Sequence, residues 1–464
     1  MKAPLTLLAV SLLLTACASP LSPPDSGIQP PPAWQNLDTP SARAENQQWW
    51  THFGSPQLNR LIEQARLDSH DLAAAMARVR QAQASAVIAG APLLPAVTTG
   101  LNGNRQELLR GKGYSQLDVD RNNRTIDYYD ANLSATYELD FWGGKRAARD
   151  SALSTLSASQ FDRATVELTL LSGVANSYTQ ALSLGEQQRI AELNLANAES
   201  VLELVQTRYD AGGATALELS QQKSLVAAQQ RRLPQVQQQA KEALITLAAL
   251  LGQPVQAVRL DDEQFEQLQW PSIDAGVPSE LLRRRPDIAA AEARLTAAQA
   301  DISVARAAML PSVTLGLSLG TGADIADQLL RNNVYNLTAG LAAPIFNNGR
   351  LRAERDKATA RQEELLELYR AAIINGFADV EKALNSINGL DQQRQWQSEE
   401  LQQAQTAFDI AQRRYQAGAE DLLTVLETQR TLYTAQDMNV QLRLARVQAS
   451  VALYKALGGG WRVM

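Results

Sequence analysis

Cysteine and histidine are nearly missing: one Cys and two His in 464 residues. Disulfide frameworks and Cys/His zinc sites are all but excluded by that inventory. Aromatic residues make up 5% and charged residues 20% of the chain. That is thin material for a large globular core, but with its Ala and Gln runs it suits long helices. A surplus of positive charge is missing too. The formal charge is −6, and the Lys/Arg stripe that nucleic-acid binding needs is absent, so no nucleic-acid partner is expected. His52 and His70 both lie in the N-terminal segment. No Ser/His/Asp arrangement, carboxylate pair or Gly-rich phosphate loop stands out. The chain is therefore not expected to be an enzyme, and no cofactor or metal is expected.

What is present is said twice. Arg208-Tyr209-Asp210-Ala211-Gly212 returns as Arg414-Tyr415-Gln416-Ala417-Gly418, an offset of 206 residues that also carries Leu251-Gly252 onto Leu457-Gly458. Upstream, Leu72-Ala73-Ala74-Ala75 with Leu94-Pro95 returns as Ile288-Ala289-Ala290-Ala291 with Leu310-Pro311, at an offset of 216. A period this long is no short-repeat solenoid. Length alone suggests about three domains, whereas the duplication argues for two halves of one pseudo-symmetric body. We place the first repeat at 49–270 and the second at 271–464.

The N-terminus reads as a signal peptide over 1–16: Lys2, a mostly apolar stretch from Leu5 to Leu14, then Thr15-Ala16-Cys17. The apolar stretch is too short for a permanent span. The only Cys falls where cleavage makes it the first mature residue. This resembles the lipobox of bacterial lipoproteins, which implies a lipid on Cys17; the alternative is an ordinary signal peptide with a chance Cys. Ala18 follows rather than Asp, which in such lipoproteins implies export to the outer membrane. Residues 17–48 hold Pro20, Pro23, Pro24, Pro30, Pro31, Pro32 and Pro40. That density forbids regular helix, so an extended tether is expected, with the folded part starting at Trp49-Trp50.

Residues 145–210 lack Pro, as does the counterpart at about 350–416. A continuous helix of that length measures roughly 100 Å. Helical apolar spacing, as in Leu193, Ala196, Val201, Leu204 and Val205, implies coiled-coil packing. Each long helix ends at Arg-Tyr-x-Ala-Gly, with Gly212 and Gly418 suited to the left-handed position after the helix. Return helices are expected over about 215–251 and 421–457, opened by a Thr215/Glu218 capping box and an Asp421 N-cap. Both motifs are thus helical hairpin tips, at about 209–216 and 415–421. Arg208, Tyr209, Arg414 and Tyr415 there either pack the turn or dock a partner. Pro234 should kink or break the first return helix. Arg283-Arg284-Arg285-Pro286-Asp287-Ile288 looks like a basic patch, but Pro at the first helical position and Asp in the first turn read more simply as a helix start.

Between the helices lie four alternating segments, at about 96–104, 131–141, 312–320 and 335–345. Alternation over about ten residues is the signature of a transmembrane β-strand; its alternative is a half-buried strand of a soluble sheet. Each repeat supplies two such strands joined by a polar loop. Four strands cannot close a barrel in lipid, where open edges are forbidden. If they span a membrane, several chains share one barrel, and three copies supply twelve strands. Phe141, Trp142 and Phe346 at the strand ends fit an interfacial aromatic girdle.

The lipobox, the paired strands, the two Arg-Tyr-x-Ala-Gly tips, Arg285-Pro286-Asp287-Ile288 and Leu423-Thr424-Val425-Leu426-Glu427 together resemble the outer membrane factor (TolC-like) family. More narrowly they resemble its lipoprotein branch, the OprM/NodT-type outer membrane efflux lipoproteins. The resemblance runs from Cys17 to about Gly458 and rests on order and spacing rather than on one motif. It implies a membrane fold of mixed α and β structure. In it a homotrimer forms a twelve-stranded outer-membrane β-barrel, four strands per chain, continuous with a long α-helical coiled-coil periplasmic barrel. The partners implied are outer membrane lipid, a periplasmic adaptor (membrane fusion protein) and an inner-membrane RND or ABC pump. The implied location is the cell outer membrane of a Gram-negative bacterium, lipid-anchored and spanning, with extension into the periplasm.

The branch's gate follows the second tip: a ring of Leu, then an acidic residue and an Arg one and two turns on. These match Leu423, Glu427 and Arg430, with Glu where Asp is more usual. Leu217, Gln221 and Ser224 hold the matching places after the first tip. An asymmetric gate is therefore implied, with Glu427 and Arg430 close enough to pair within or between chains. The alternative is that Leu423 is plain coiled-coil core beside a solvated charged face. Three functions compete: a passive exit duct for drugs or small metabolites in a tripartite efflux system, a duct for type I polypeptide secretion, and a periplasmic coiled-coil scaffold without a channel. The first is the expectation carried forward.

Overall fold

The computed structural model describes residues 24–36, 48–107, 109–110, 125–261, 263–270 and 275–461. Cys17 and the signal peptide lie outside the described residues. In chain order the elements are α1 (Pro56–Asp68), α2 (His70–Gly90), β1 (Ala96–Glu107), β2 (Thr125–Leu139), α3 (Gly144–Asp210) and α4 (Ala216–Leu250), then α5 (Pro278–Arg284), α6 (Pro286–Ala307), β3 (Ser312–Ala323), β4 (Asn333–Ala342), α7 (Arg350–Gln416) and α8 (Leu422–Ala456). Helices α3 and α7 are 67 residues each, and α4 and α8 are 35 each. The offset of 206 therefore holds over whole helices. Strands β1 and β3 are 12 residues each and start 216 apart. The offset drops between the strands of each hairpin, so the first copy carries the longer strand connection.

Contacts divide the chain into two compact units, each made of pieces of both repeats. One comprises Met1–Ser26, Val79–Ala158 and Ala291–Tyr369. Its centre is a single antiparallel sheet of order β1-β2-β3-β4. The register aligns the faces. Thr99, Leu133, Leu319 and Tyr335 stand in one row, and Val97, Ala135, Leu317 and Leu337 in another. Residues of the opposite face are polar: Thr98 and Ser134 share a hydroxyl hydrogen bond of 2.8 Å, and Asn102 donates to Asp130 at 2.9 Å. Within one chain the leucines and the tyrosine of these rows stay exposed, and among the described residues both outer strands keep a free edge. Below the sheet Trp142 Nε1 donates to Pro311 O at 2.6 Å, whereas Phe141 and Phe346 remain exposed.

The second unit comprises Gly27–Arg78, Ser159–Ala290 and Arg370–Met464. Its largest core gathers Trp49, Trp50 and Phe53, the apolar face of α1, Tyr178 of α3 and Tyr454 of α8. A second cluster joins the hairpin helices near the tips through Val205, Leu219, Phe408, Tyr415, Val425 and Leu432. Short helices abut end to end in both copies. A Cβ on Gly252, after α4, would lie 2.5 Å from Asp68 O before α2, and a Cβ on Gly458, after α8, would lie 2.1 Å from Arg284 O before α6. Only glycine, with its positive φ of 69° and 88°, fits these two stacks.

Several expectations need correction. Strand β2 begins at Thr125 and ends at Leu139, and β4 ends at Ala342. Pro344 explains the latter, since it has no N–H for the ladder. Pro234 does not break α4, which is continuous through it. Both Pro234 and Gln230, whose carbonyl loses its partner, are exposed, so water can replace the missing bond. The tether is not free throughout. Trp34 is only 4% exposed, donates from Nε1 to Gly276 O at 2.9 Å, and packs edge-on against Phe377. Glu381 then accepts from Gln35 N at 2.7 Å and from Asn36 Nδ2 at 2.8 Å.

Candidate functional site

All residues of the expected tips and gate fall in the second unit. The two tips close alike. Gly213 N donates to Arg208 O at 2.7 Å, and Ala419 N to Arg414 O at 2.9 Å. Gly212 and Gly418 have φ of 75° and 74°. These bonds satisfy the last carbonyls of α3 and α7 and reverse the chain. Helix α4 then opens on the full Thr215/Glu218 capping box, and α8 on Asp421, whose carboxylate accepts from Thr424 N at 2.8 Å and Thr424 Oγ1 at 2.9 Å. Those two hydrogen bonds hold the Asp421 carboxyl below its usual range.

The repeated Arg-Tyr pairs do not do the same work. Arg208 crosses to the other tip: its guanidinium lies 4.5 Å from the Tyr415 ring centroid, and Nη1 donates to Tyr415 O at 2.9 Å. Tyr415 is 2% exposed, whereas Tyr209 is 40% exposed. Arg414 stays in its own loop, donating to Ala419 O at 3.3 Å and pairing with Glu420 at 3.1 Å. Of the four, Arg208 and Tyr415 pack the turns together, and Tyr209 and Arg414 face outward.

Leu423, Glu427 and Arg430 are all exposed, Leu423 by 54%. At i, i+4 and i+7 they form one stripe of α8. The buried stripe beside it, with Leu422, Val425, Leu426 and Gln429, holds the hairpin. Leu423 is therefore not core of its own chain. Glu427 and Arg430 form no ion pair with each other among the described residues. Leu217 in the first copy is likewise exposed.

Sequence reasoning missed the polar ties above the tips. Tyr433 on α8 donates to Asn194 O on α3 at 2.8 Å and accepts from Gln429 Nε2 at 2.7 Å. Burial pushes the Tyr433 hydroxyl up to about 12. Gln222 donates to Ala198 O at 2.8 Å. The available signal was a Gln or Tyr standing on the apolar stripe of a coiled coil. Arg285 was also undervalued. It pairs with Asp287 at 2.7 Å and with Asp379 of α7 at 3.0 Å, and donates to Ala456 O at 3.2 Å, where α8 ends. Burial raises Asp287, but the Arg285 charge and hydrogen bonds outweigh it and hold the carboxyl below its usual range.

Two helical hairpins with tight tips, and a sheet apolar on one face, polar on the other and open at both edges, define a chain that builds a membrane duct with copies of itself. The outer membrane efflux protein family model matches residues 61–253 and 277–459, once per repeat. The chain belongs to that family. It is 62% identical over 459 residues to the pyoverdine export outer membrane protein OpmQ of Pseudomonas aeruginosa, covering 99% of this chain and 97% of that protein. The protein of the same description from Pseudomonas putida is 60% identical over the same shares. Among solved structures, the outer-membrane channel OprN is 28% identical with a TM-score of 0.84, over 93% of this chain and 99% of that one.

The architecture is accordingly that of the trimeric outer membrane channels, four strands per chain in a shared β-barrel and long helices in a periplasmic barrel. The chain is the outer membrane channel component of a tripartite efflux system, a duct that extends into the periplasm. The scaffold without a channel is thereby set aside.

Proposed function

We propose that this duct exports pyoverdine, as the two most similar proteins reported above are described as doing. The observation that carries this reading is 62% identity over 99% of the chain, with no large segment of either protein left over. Relatives described as exporting a small molecule also weigh against the polypeptide-secretion alternative. The duct is passive and performs no catalysis; an inner-membrane pump of the RND or ABC class drives transport through a periplasmic adaptor. Tyr209 and Arg414, with the glycine turns at Gly212 and Gly418, form the adaptor-facing surface of the tips, and Arg208 and Tyr415 brace it from within. Cys17 carries the lipid, and the Trp34 segment fastens the tether to α7. Leu423 from three chains closes a dry constriction, and Glu427 and Arg430, not paired with each other among the described residues, pair across to neighbouring copies. Opening follows when adaptor or pump binds the dilated state more tightly.

Deleting the gene and measuring pyoverdine by mass spectrometry in supernatant and periplasm tests the substrate. The expected result is loss from the supernatant and accumulation in the periplasm, restored by the intact gene. Unchanged export in a strain without any close relative of this chain would overturn the reading.

A further inference from the structure

The second unit contains a groove of about 600 Å³ bounded by α3, α7, α8 and the start of α6. Its volume is in the range of small-molecule sites. Helix α8 shows which way it opens. Val440, Leu444, Val447, Val451 and Tyr454 bury one face of α8 in the aromatic core, together with α1 and the 255–268 connector. Ala445, Ala449, Ala452 and Ala456 floor the groove from the opposite face, about half a turn away at 3.6 residues per turn. In a duct whose wall is one helix thick, the bulky packed elements must lie outside or they would plug it. On the duct reading above, the groove is then on the side left for the passage.

Its charges are uneven. Arg285, at one end, pairs with both Asp287 and Asp379, which also line the groove and leave one negative charge in excess there. Lys382 of α7 and Lys455 of α8 line it as well, are exposed, and have no carboxylate partner within the chain among the described residues. With three cationic side chains against two carboxylates the groove carries a net charge of +1, and its two ammonium groups stand beside Thr169 and Ser386 hydroxyls and above an alanine floor. The chain as a whole is acidic, at −6, so this is a local reversal of sign on the passage wall.

We propose that this groove is a resting site for exported cargo, and that it takes an acidic, hydroxyl-bearing small molecule whose anionic group lies between Lys382 and Lys455 and whose less polar part lies on the alanines. The proposal rests on the duct reading above and deepens it by naming the chemistry the wall selects. Weak, salt-sensitive binding is what such a site needs, since cargo must leave as readily as it arrives. Each chain carries one copy, so the wall at this level holds three.

The test is titration calorimetry on the full-length trimer in detergent, with iron-free pyoverdine and with citrate as probes, at low and high salt. Wild type binds both, and added salt weakens the binding. The Lys382→Gln/Lys455→Gln pair weakens it about tenfold or more, the Lys382→Arg/Lys455→Arg pair retains it, and Lys241→Gln on α4 leaves it unchanged. Equal affinity of wild type and the Gln pair, or no binding by wild type, overturns the site. Loss of the SDS-resistant trimer in the Gln pair but not the Arg pair also overturns it, by assigning the lysines to a neighbouring copy. Pyoverdine export that persists while the site fails leaves the duct reading standing. Absence of export by wild type removes the duct reading itself.

Discussion

The two hairpin tips share a sequence, a turn and a closing pattern of hydrogen bonds, yet their repeated Arg and Tyr side chains are used differently. The first tip sends Arg208 across to grip the second, and leaves Tyr209 exposed. The second buries Tyr415, keeps Arg414 at home with Glu420, and continues into Leu423, Glu427 and Arg430. Duplicated residues thus preserve the backbone reversal, because only glycine takes the left-handed turn cheaply. Side chains were free to diverge, into a tip that braces its neighbour and a tip that continues into an exposed stripe. The same split recurs where short helices abut. Both junctions keep a glycine against a carbonyl, but only the second is pinned by Arg285, whereas Ser69 occupies the equivalent place in the first.

The largest effect should come from testing which glycines are steric and which only conformational. Gly458→Ala forces a Cβ to 2.1 Å from Arg284 O at a φ of 88°, and nothing flexible can give way there. It should cost about 3 kcal/mol or more. Gly418→Ala meets nothing within 4 Å and should cost only the left-handed penalty of about 1–2 kcal/mol. Because unfolding of such a trimer is not expected to reverse, the measurement is the temperature at which the SDS-resistant trimer dissociates. Equal shifts for the two variants would mean that the helix stack is not what holds Gly458.

A smaller effect is expected where the copies diverge on the exposed stripe. Leu423→Ala with Glu427→Ala should raise the single-channel conductance of the reconstituted protein several-fold, with little change in trimer stability, because Leu423 is not core of its own chain. Leu217→Ala should leave conductance where it was. If the two leucines behave alike, the asymmetry between copies has nothing to do with the gate.

How much of this was legible beforehand depends on how local the cause is. The ends of the four hairpin helices α3, α4, α7 and α8 were readable to within a residue, because each is set by a neighbouring Gly, Thr or Asp, whereas α1, α2 and α5 were not placed. Strand β2 was shortened in the reading because Tyr128-Tyr129 puts an aromatic on both faces and hides the alternation. Its early residues are held by β1, where Arg105 lies 3.7 Å from Asp127, and no local signal reports a partner across a hairpin. Arg285 looked like a mere helix start for the same reason, since Asp379 lies 94 residues away. The residues proposed for the gate came only from resemblance. Nothing in the period of α8 separates Leu423 from the buried Leu422.

The smallest expected effect separates the tips by their caps. Thr215 closes α4 with a hydroxyl that does not titrate, accepting from Glu218 N at 3.2 Å. Asp421 closes α8 with a carboxylate whose proton affinity is lowered from 3.8 by the bonds it accepts from Thr424. A group depressed on folding stabilises fully above its unfolded pKa and loses that contribution as pH falls through the folded one. The first turn of α8 should therefore lose hydrogen-exchange protection below about pH 4, through this cap alone. Asp421→Asn, which caps without titrating, should keep its protection there. Comparing protection factors at 422–425 for wild type and this variant isolates the cap from general acid destabilisation. If both lose protection together, charge at Asp421 plays no part in holding the second tip.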